Sequence, residues 1–185
     1  MQEKWIRITA RLRELGCLEA MDLQPGASLN EIEALEGHLG VRFPQSVRDF
    51  IGVHNGQNGF GLLFGHEFLS IKGIQQQWDN WRSLDESSMN QDCAEFQSSD
   101  PAGFIKPLYC NKGWIPLTHD GGGNHFGLDL DPDRLGTSGQ IIAFGRDEDT
   151  KRLLATSFES FFEDTILWLG LATWDGECLE APVGC

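Results

Sequence analysis

The chain has 185 residues, 40% of them hydrophobic, with 12 Phe and 6 Trp, enough large apolar side chains to offset the conformational entropy lost on folding. Its 14 Lys and Arg stand against 28 Asp and Glu, a net charge of -14 that repels phosphate backbones and anionic lipid, so neither nucleic acid nor membrane is expected as a partner. No run of about 18 apolar residues occurs, and the N-terminal MQEKWIRITARLREL is amphipathic and unlike a signal peptide, so a cytoplasmic protein is expected.

Trp5, Ile8, Leu12 and Leu15 recur at helical spacing and Gly16 stops them, which predicts a first helix. Ser28 precedes Leu29, Ile32, Leu35 and Leu39, with Glu31 placed for a capping box and Gly40 beyond the end, so a second helix follows. Pro44 suits the first position of a third helix, whose apolar face is Val47, Phe50, Ile51 and His54 and whose stop is Asn55-Gly56. Gly59 to Ser70 alternates apolar pieces with glycines and reads as short strands or a strand and a bend. Ile74, Trp78 and Trp81 predict a fourth helix over Ile71 to Glu86, with Trp78 in the core, before a polar loop from Ser87 to Pro101.

The second half reads as antiparallel sheet. Trp114 to His119 and Asn124 to Asp131 flank Asp120-Gly121-Gly122-Gly123, a composition suited to the positive φ angles of a hairpin turn. Ile141 to Phe144 and Leu153 to Ala155 complete four strands in sequence, which favours a meander, and Pro116 implies an edge position or a bulge. Ser157 caps a last helix carrying Phe158, Phe161, Phe162, Ile166 and Leu169. The expected architecture is α+β, a central antiparallel sheet packed by N-terminal helices and a C-terminal helix. One domain spans residues 1–173, and residues 174–185 are expected as a flexible tail.

Charge is unevenly spread. Ser83 to Ile105 holds Asp85, Glu86, Asp92, Glu95 and Asp100 and no base, and the chain from Glu159 onward is likewise acidic and base-free. Such segments attract basic partners and speed their encounter. Trp81 beside Asp85 and Glu86 combines an aromatic face with carboxylates, which suits Arg or Lys. Asp92 and Glu95, with Asp129 and Asp131, are the further candidate partner contacts. Cys17, Cys93, Cys110, Cys178 and Cys185 are odd in number and scattered, which argues against a disulfide framework and a zinc knuckle.

Ordered motifs along the chain resemble the SUKH superfamily: Phe43-Pro44-Gln45-Ser46-Val47-Arg48-Asp49-Phe50, His54-Asn55-Gly56, Trp114-Ile115-Pro116-Leu117, Asp120 to Asp129, Gly139-Gln140-Ile141-Ile142 and Leu154 to Phe158. Pro44, Asn55, Gly56, Trp114, Gly121, Gly122, Gly123, Gly127 and Gly139 are its structural residues. The resemblance runs from about Leu29 to Leu169 and implies an α+β fold with a binding role. Bacterial members of that superfamily are immunity proteins that neutralise toxin domains, often nucleases, and fungal members are signalling or scaffold proteins. The chain carries no long disordered flanks of the fungal kind, so an immunity protein binding a basic toxin domain is the leading expectation, and a regulatory scaffold the second.

A third reading is a metal-dependent hydrolase using His119, His125, Asp129 and Asp131. Strand alternation puts Asn124, Phe126 and Leu128 on one face and His125, Gly127 and Asp129 on the other. At about 3.3 Å rise per residue, His125 and Asp129 then sit roughly 13 Å apart, too far to share an ion. Neither metal nor cofactor is expected, and no nucleophile motif calls for an enzyme.

Overall fold

In a computed structural model, residues 1–59, 61–84 and 86–180 are described, Glu86 by its backbone alone. The elements are, in chain order, α1 (Gln2–Leu15), α2 (Leu18–Met21), β1 (Leu23–Pro25), α3 (Leu29–Leu39), α4 (Gln45–Val53), β2 (His54–Gln57), β3 (Glu67–Phe68), α5 (Ile71–Arg82), α6 (Glu86–Asp92), β4 (Ser98–Asp100), β5 (Trp114–Pro116), β6 (Thr118–His119), β7 (Asn124–Asp129), β8 (Gln140–Gly145), β9 (Thr150–Ala155), α7 (Phe158–Leu171), β10 (Thr173–Trp174) and β11 (Leu179–Glu180). The fold is α+β, and its residues form two compact units: Met1–Ile71 with the chain from Phe162 onward, and Lys72–Phe161.

The first unit is held by rings. Helix α1 turns Trp5, Ile8 and Leu12 inward and ends at Gly16 in the left-handed region. Trp5 stacks on Phe50 of α4 at 4.9 Å and meets Phe162 of α7 edge-on at 5.5 Å, while Phe50 lies 4.5 Å from Phe68. Each such aromatic pair adds about 1 kcal/mol beyond its buried area. Ser28 and Glu31 close the expected capping box on α3, and Pro44 sits one position earlier than expected, as the N-cap of α4. Glu36 explains the chain that follows α3: it accepts the Phe43 N–H at 2.8 Å and pairs with the buried Arg48 at 3.5 Å. Asn55 accepts the Ile71 N–H at 2.8 Å. Gly56 has φ 85°, and a Cβ there would lie 2.5 Å from the Ser70 nitrogen, so no other residue fits. Arg11 donates to the Leu169 and Ala172 carbonyls, both at 3.0 Å, capping the end of α7. The segment expected as a tail contains β11, which pairs antiparallel with β10 and buries Leu179; residues 181–185 lie outside the described residues.

The second unit is a sheet in the order β4-β9-β8-β7-β5. Strands β5, β7, β8 and β9 are joined antiparallel, as the expected meander, with β5 at the edge where Pro116 removes no ladder bond. The expected strand from Trp114 to His119 breaks into β5 and β6. A Cβ at Gly127 would lie 2.2 Å from the Ile115 carbonyl oxygen, so glycine alone permits this β5–β7 pairing. The polar loop expected over Ser87 to Pro101 instead contains α6 and β4. Strand β4 has no apolar residue, and its ladder with β9 holds it parallel at the edge, with Ser98 opposite Thr150 and their hydroxyls 2.9 Å apart.

Candidate functional site

One face of this sheet presents Trp114, His125, Asp129, Gln140, Ile142 and Phe144, because ladder partners share a face: Trp114 stands opposite Asp129, His125 opposite Phe144, Asp129 opposite Gln140. Ile105, Trp114, Ile142 and Phe144 form its apolar centre, with Phe104, Leu108 and Leu153 packed around them. At one end of this face lies Trp81 of α5. Its indole N–H donates to His125 Nε2 at 3.1 Å, and its ring is 5.8 Å from Tyr109 and 6.4 Å from Phe144. His125 Nδ1 lies 2.7 Å from the Thr118 carbonyl oxygen. An indole only donates and a carbonyl only accepts, so the two bonds together assign the ring proton to Nδ1.

Trp81, Tyr109 and His125 form the aromatic wall of an open groove of about 240 Å³, completed by Gln77, Asn80, Leu84, Gly123 and Arg146. Asn90 of α6 positions Tyr109. Its Oδ1 accepts the Tyr109 and Cys110 N–H groups at 2.9 and 3.0 Å while its Nδ2 donates to the Cys110 carbonyl at 2.9 Å. Burial raises the Tyr109 hydroxyl above the ordinary tyrosine range, helped by the nearby cysteines, so it stays a neutral donor across the physiological range. Gly123 of the lining belongs to the Asp120 turn. Burial would raise that carboxyl, but hydrogen bonds from the Asn124, Gly122 and Gly123 backbones and the Asn124 side chain overcome it and hold it at about 2.

The same face also buries polar side chains. Asp129 is fully buried, and burial raises it to about 6 against the pull of the Gln140 side chain, 2.8 Å away, and the Asp131 N–H. Lys151, also fully buried, donates to Gln97 Oε1 at 2.6 Å and to the Glu148 carbonyl, and its ammonium lies 6.0 Å from the Trp114 ring centre. Burial lowers it to about 8 despite Asp149 and Glu148 nearby.

The expected site residues separate. Trp81 is half-buried in the groove wall, and Trp78, expected in the core, is also only half-buried, its indole donating to the Lys112 carbonyl at 3.0 Å. Arg82 also lies 5.6 Å over the Trp78 ring. Asp85 and the side chain of Glu86 lie outside the described residues. Asp92 and Glu95 are exposed, beside Phe96, which is 62% exposed. Asp129, expected at a partner surface, is buried and committed to Gln140 because the β7–β8 ladder turns it inward. Asp131 is engaged by Lys106 at 2.6 Å and Asn111 at 3.0 Å, which lower its carboxyl against the upward push of burial. Gly121 donates to His119 Nδ1 at 3.0 Å, and Gly139 to the Asp129 carbonyl at 2.8 Å.

His119, His125, Asp129 and Asp131 are not assembled; among the described residues no group of three or more such side chains could hold a metal. Tyr109, Asn90 and Arg146 were not legible as site residues, since none lies on a periodic pattern or in a motif with Trp81. No described helix is long and apolar enough to cross a membrane.

Residues 26–164 match the model of the SMI1 / KNR4 family (SUKH-1). The chain is 34% identical over 173 residues to the cell wall biosynthesis/cell cycle regulator smi1 of Schizosaccharomyces pombe, covering 87% of this chain and 34% of the relative. It is 31% identical over 173 residues to a glucan synthesis regulatory protein of Neurospora crassa, covering 75% and 32%. It is 30% identical over 166 residues to the cell wall assembly regulator SMI1 of Saccharomyces cerevisiae, covering 71% and 33%. The chain thus spans about a third of the length of these relatives, which are named as regulators, not enzymes.

Proposed function

The chain belongs to the SMI1 / KNR4 family (SUKH-1), and on that premise we propose that it is a regulatory protein-binding module whose docking surface is the groove at Trp81. The observation that carries this reading is the groove itself: an aromatic wall of Trp81, Tyr109 and His125, open to solvent and set by directional bonds from α6 and β7. Half-exposed Trp and Tyr, held rigid, give large contact area at little entropic cost. By likeness to relatives named for cell wall and glucan synthesis regulation, the partner belongs to such a regulatory system, and a cytoplasmic location goes with this role. Affinity capture with the full chain tests it: partners recovered by the wild type and lost with Trp81→Ala support the groove, and an unchanged partner set removes it.

A second reading, a toxin-neutralising immunity protein, draws on a different surface. Asp92 and Glu95 are exposed a few residues before exposed Phe96, carboxylates close in sequence to an apolar anchor, which suits a basic toxin domain. Co-expression with the neighbouring gene's toxin-like product tests it. Rescue of growth that Asp92→Lys with Glu95→Lys abolishes supports this reading, and toxicity undiminished by the wild-type chain rejects it.

A further inference from the structure

The described side chains that line the two hollows at Trp81 carry a charge opposite to that of the chain. The indole lines the groove and also a smaller hollow formed with Trp78, Arg82, Cys110, Asn111 and Lys112. Among the described residues lining the two, the formally charged side chains are Arg82, Lys112 and Arg146, and no carboxylate is present. This occurs on a chain with 28 acids and 14 bases. Asp147 is 4.0 Å from Arg146 with both side chains mostly exposed, a pair worth less than about 1 kcal/mol, which a better-placed carboxylate can displace.

We infer, resting on the docking role proposed above, that the occupant of the Trp81 surface is an acidic segment of a partner protein. One aliphatic or aromatic side chain of that segment seats against Trp81 and Tyr109, and flanking Asp or Glu meet Arg146 of the groove and Arg82 or Lys112 of the hollow. Aromatic walls by themselves would equally suit a Lys or Arg by cation–π attraction, but here any incoming cation meets the guanidinium of Arg146 and the charges of Arg82 and Lys112. Aromatic rings among cations also describe a surface for single-stranded nucleic acid. The net charge of -14 opposes a polyanion at every phosphate beyond the contact, whereas a short acidic segment brings few charges. At physiological ionic strength screening acts over about 8 Å, so carboxylates farther than that from the groove weigh little against the cations in contact.

The experiment uses the full chain and three fluorescein-labelled probes read by polarisation. They are a synthetic peptide with Leu-Phe flanked by Asp and Glu, the same peptide with Lys at every acid, and an oligodeoxythymidine of matching length. The acidic peptide should bind, and Trp81→Ala and Arg146→Glu should each weaken it by roughly tenfold or more, as loss of a central anchor does. Arg134→Glu, an exposed charge reversal outside the lining, should leave binding unchanged. Thermal melting establishes that Trp81→Ala is folded, and Arg146, being exposed, reports independently of folding. Preferred binding of the Lys peptide, lost in Trp81→Ala, would overturn the acidic class and leave the docking surface standing. Oligonucleotide binding lost in Trp81→Ala, with no acidic peptide bound, would overturn a protein partner altogether. Acidic peptide bound equally by all variants, or no probe bound, would overturn both the partner class and the surface.

Discussion

The two compact units of this chain are stabilised by different physics. In the unit containing α1 and α4 the interior is dominated by a contact of rings, Trp5, Phe50, Phe68 and Phe162, beside the buried ion pair of Glu36 with Arg48. In the unit containing the sheet, the interior holds Asp129, Gln140, Gln97 and Lys151, each bonded at a definite angle and length. Buried polar groups of this kind add little net stability, but leaving any one unpaired is expensive, so they admit a single arrangement. The groove at Trp81 belongs to the second unit. There the Trp81 indole and the Tyr109 backbone are fixed by hydrogen bonds to His125 and Asn90.

The largest test of this contrast is Phe50→Ala, which removes the ring common to the aromatic cluster. It should cost about 3 to 5 kcal/mol in chemical denaturation; a loss below about 1 kcal/mol would mean the rings are not the first unit's main support. Next comes the buried ammonium. The folded state holds Lys151 at about 8 against an unfolded value of 10.5, so between those values the unfolded chain binds the extra proton and stability rises with pH. Relative to Lys151→Met the wild type should gain about 3 kcal/mol across that window. Parallel curves for the two proteins would show that Lys151 is not buried as a charge.

Asp120 has the opposite sign. Its folded value of about 2 lies below the ordinary 3.8, so its contribution is complete above pH 4 and disappears as pH falls towards 2. Asp120→Ala should therefore lower stability by about 2 kcal/mol at pH 7 and by almost nothing near pH 2, as thermal melts at the two pH values can show. The smallest effect is Trp81→Phe, which keeps a ring but leaves His125 Nε2 without the indole donor. About 1 kcal/mol should be lost, with a shift of the His125 ring signals in nuclear magnetic resonance. Unshifted signals would mean that bond is not formed in solution.

Much of the fold was legible in local pattern. Trp5, Ile8 and Leu12 announced α1, Ser28 with Glu31 announced the start of α3, and the strand series ending at Ala155 announced the order β5, β7, β8, β9. Each of these rests on interactions within a few residues or on strict alternation, which composition and spacing reveal. Strand β4 was missed because Ser98, Ser99 and Asp100 have no strand signature of their own; only pairing with β9 holds them extended. Trp78 was expected in the core because its spacing from Ile74 is helical, yet helical spacing does not say how deep a neighbouring surface reaches.

The candidate site divides along the same line. By itself the amino-acid sequence determined the fold class, the turn at Asp120 and the surplus of carboxylate. Tertiary structure alone decided that Asp129 turns inward, that His125 serves as Trp81's acceptor, and that Arg82, Lys112 and Arg146 gather around one indole. Those residues come from separate elements, and their meeting depends on ladder register and on the burial each carboxylate or cation finds there, quantities that no local spacing contains.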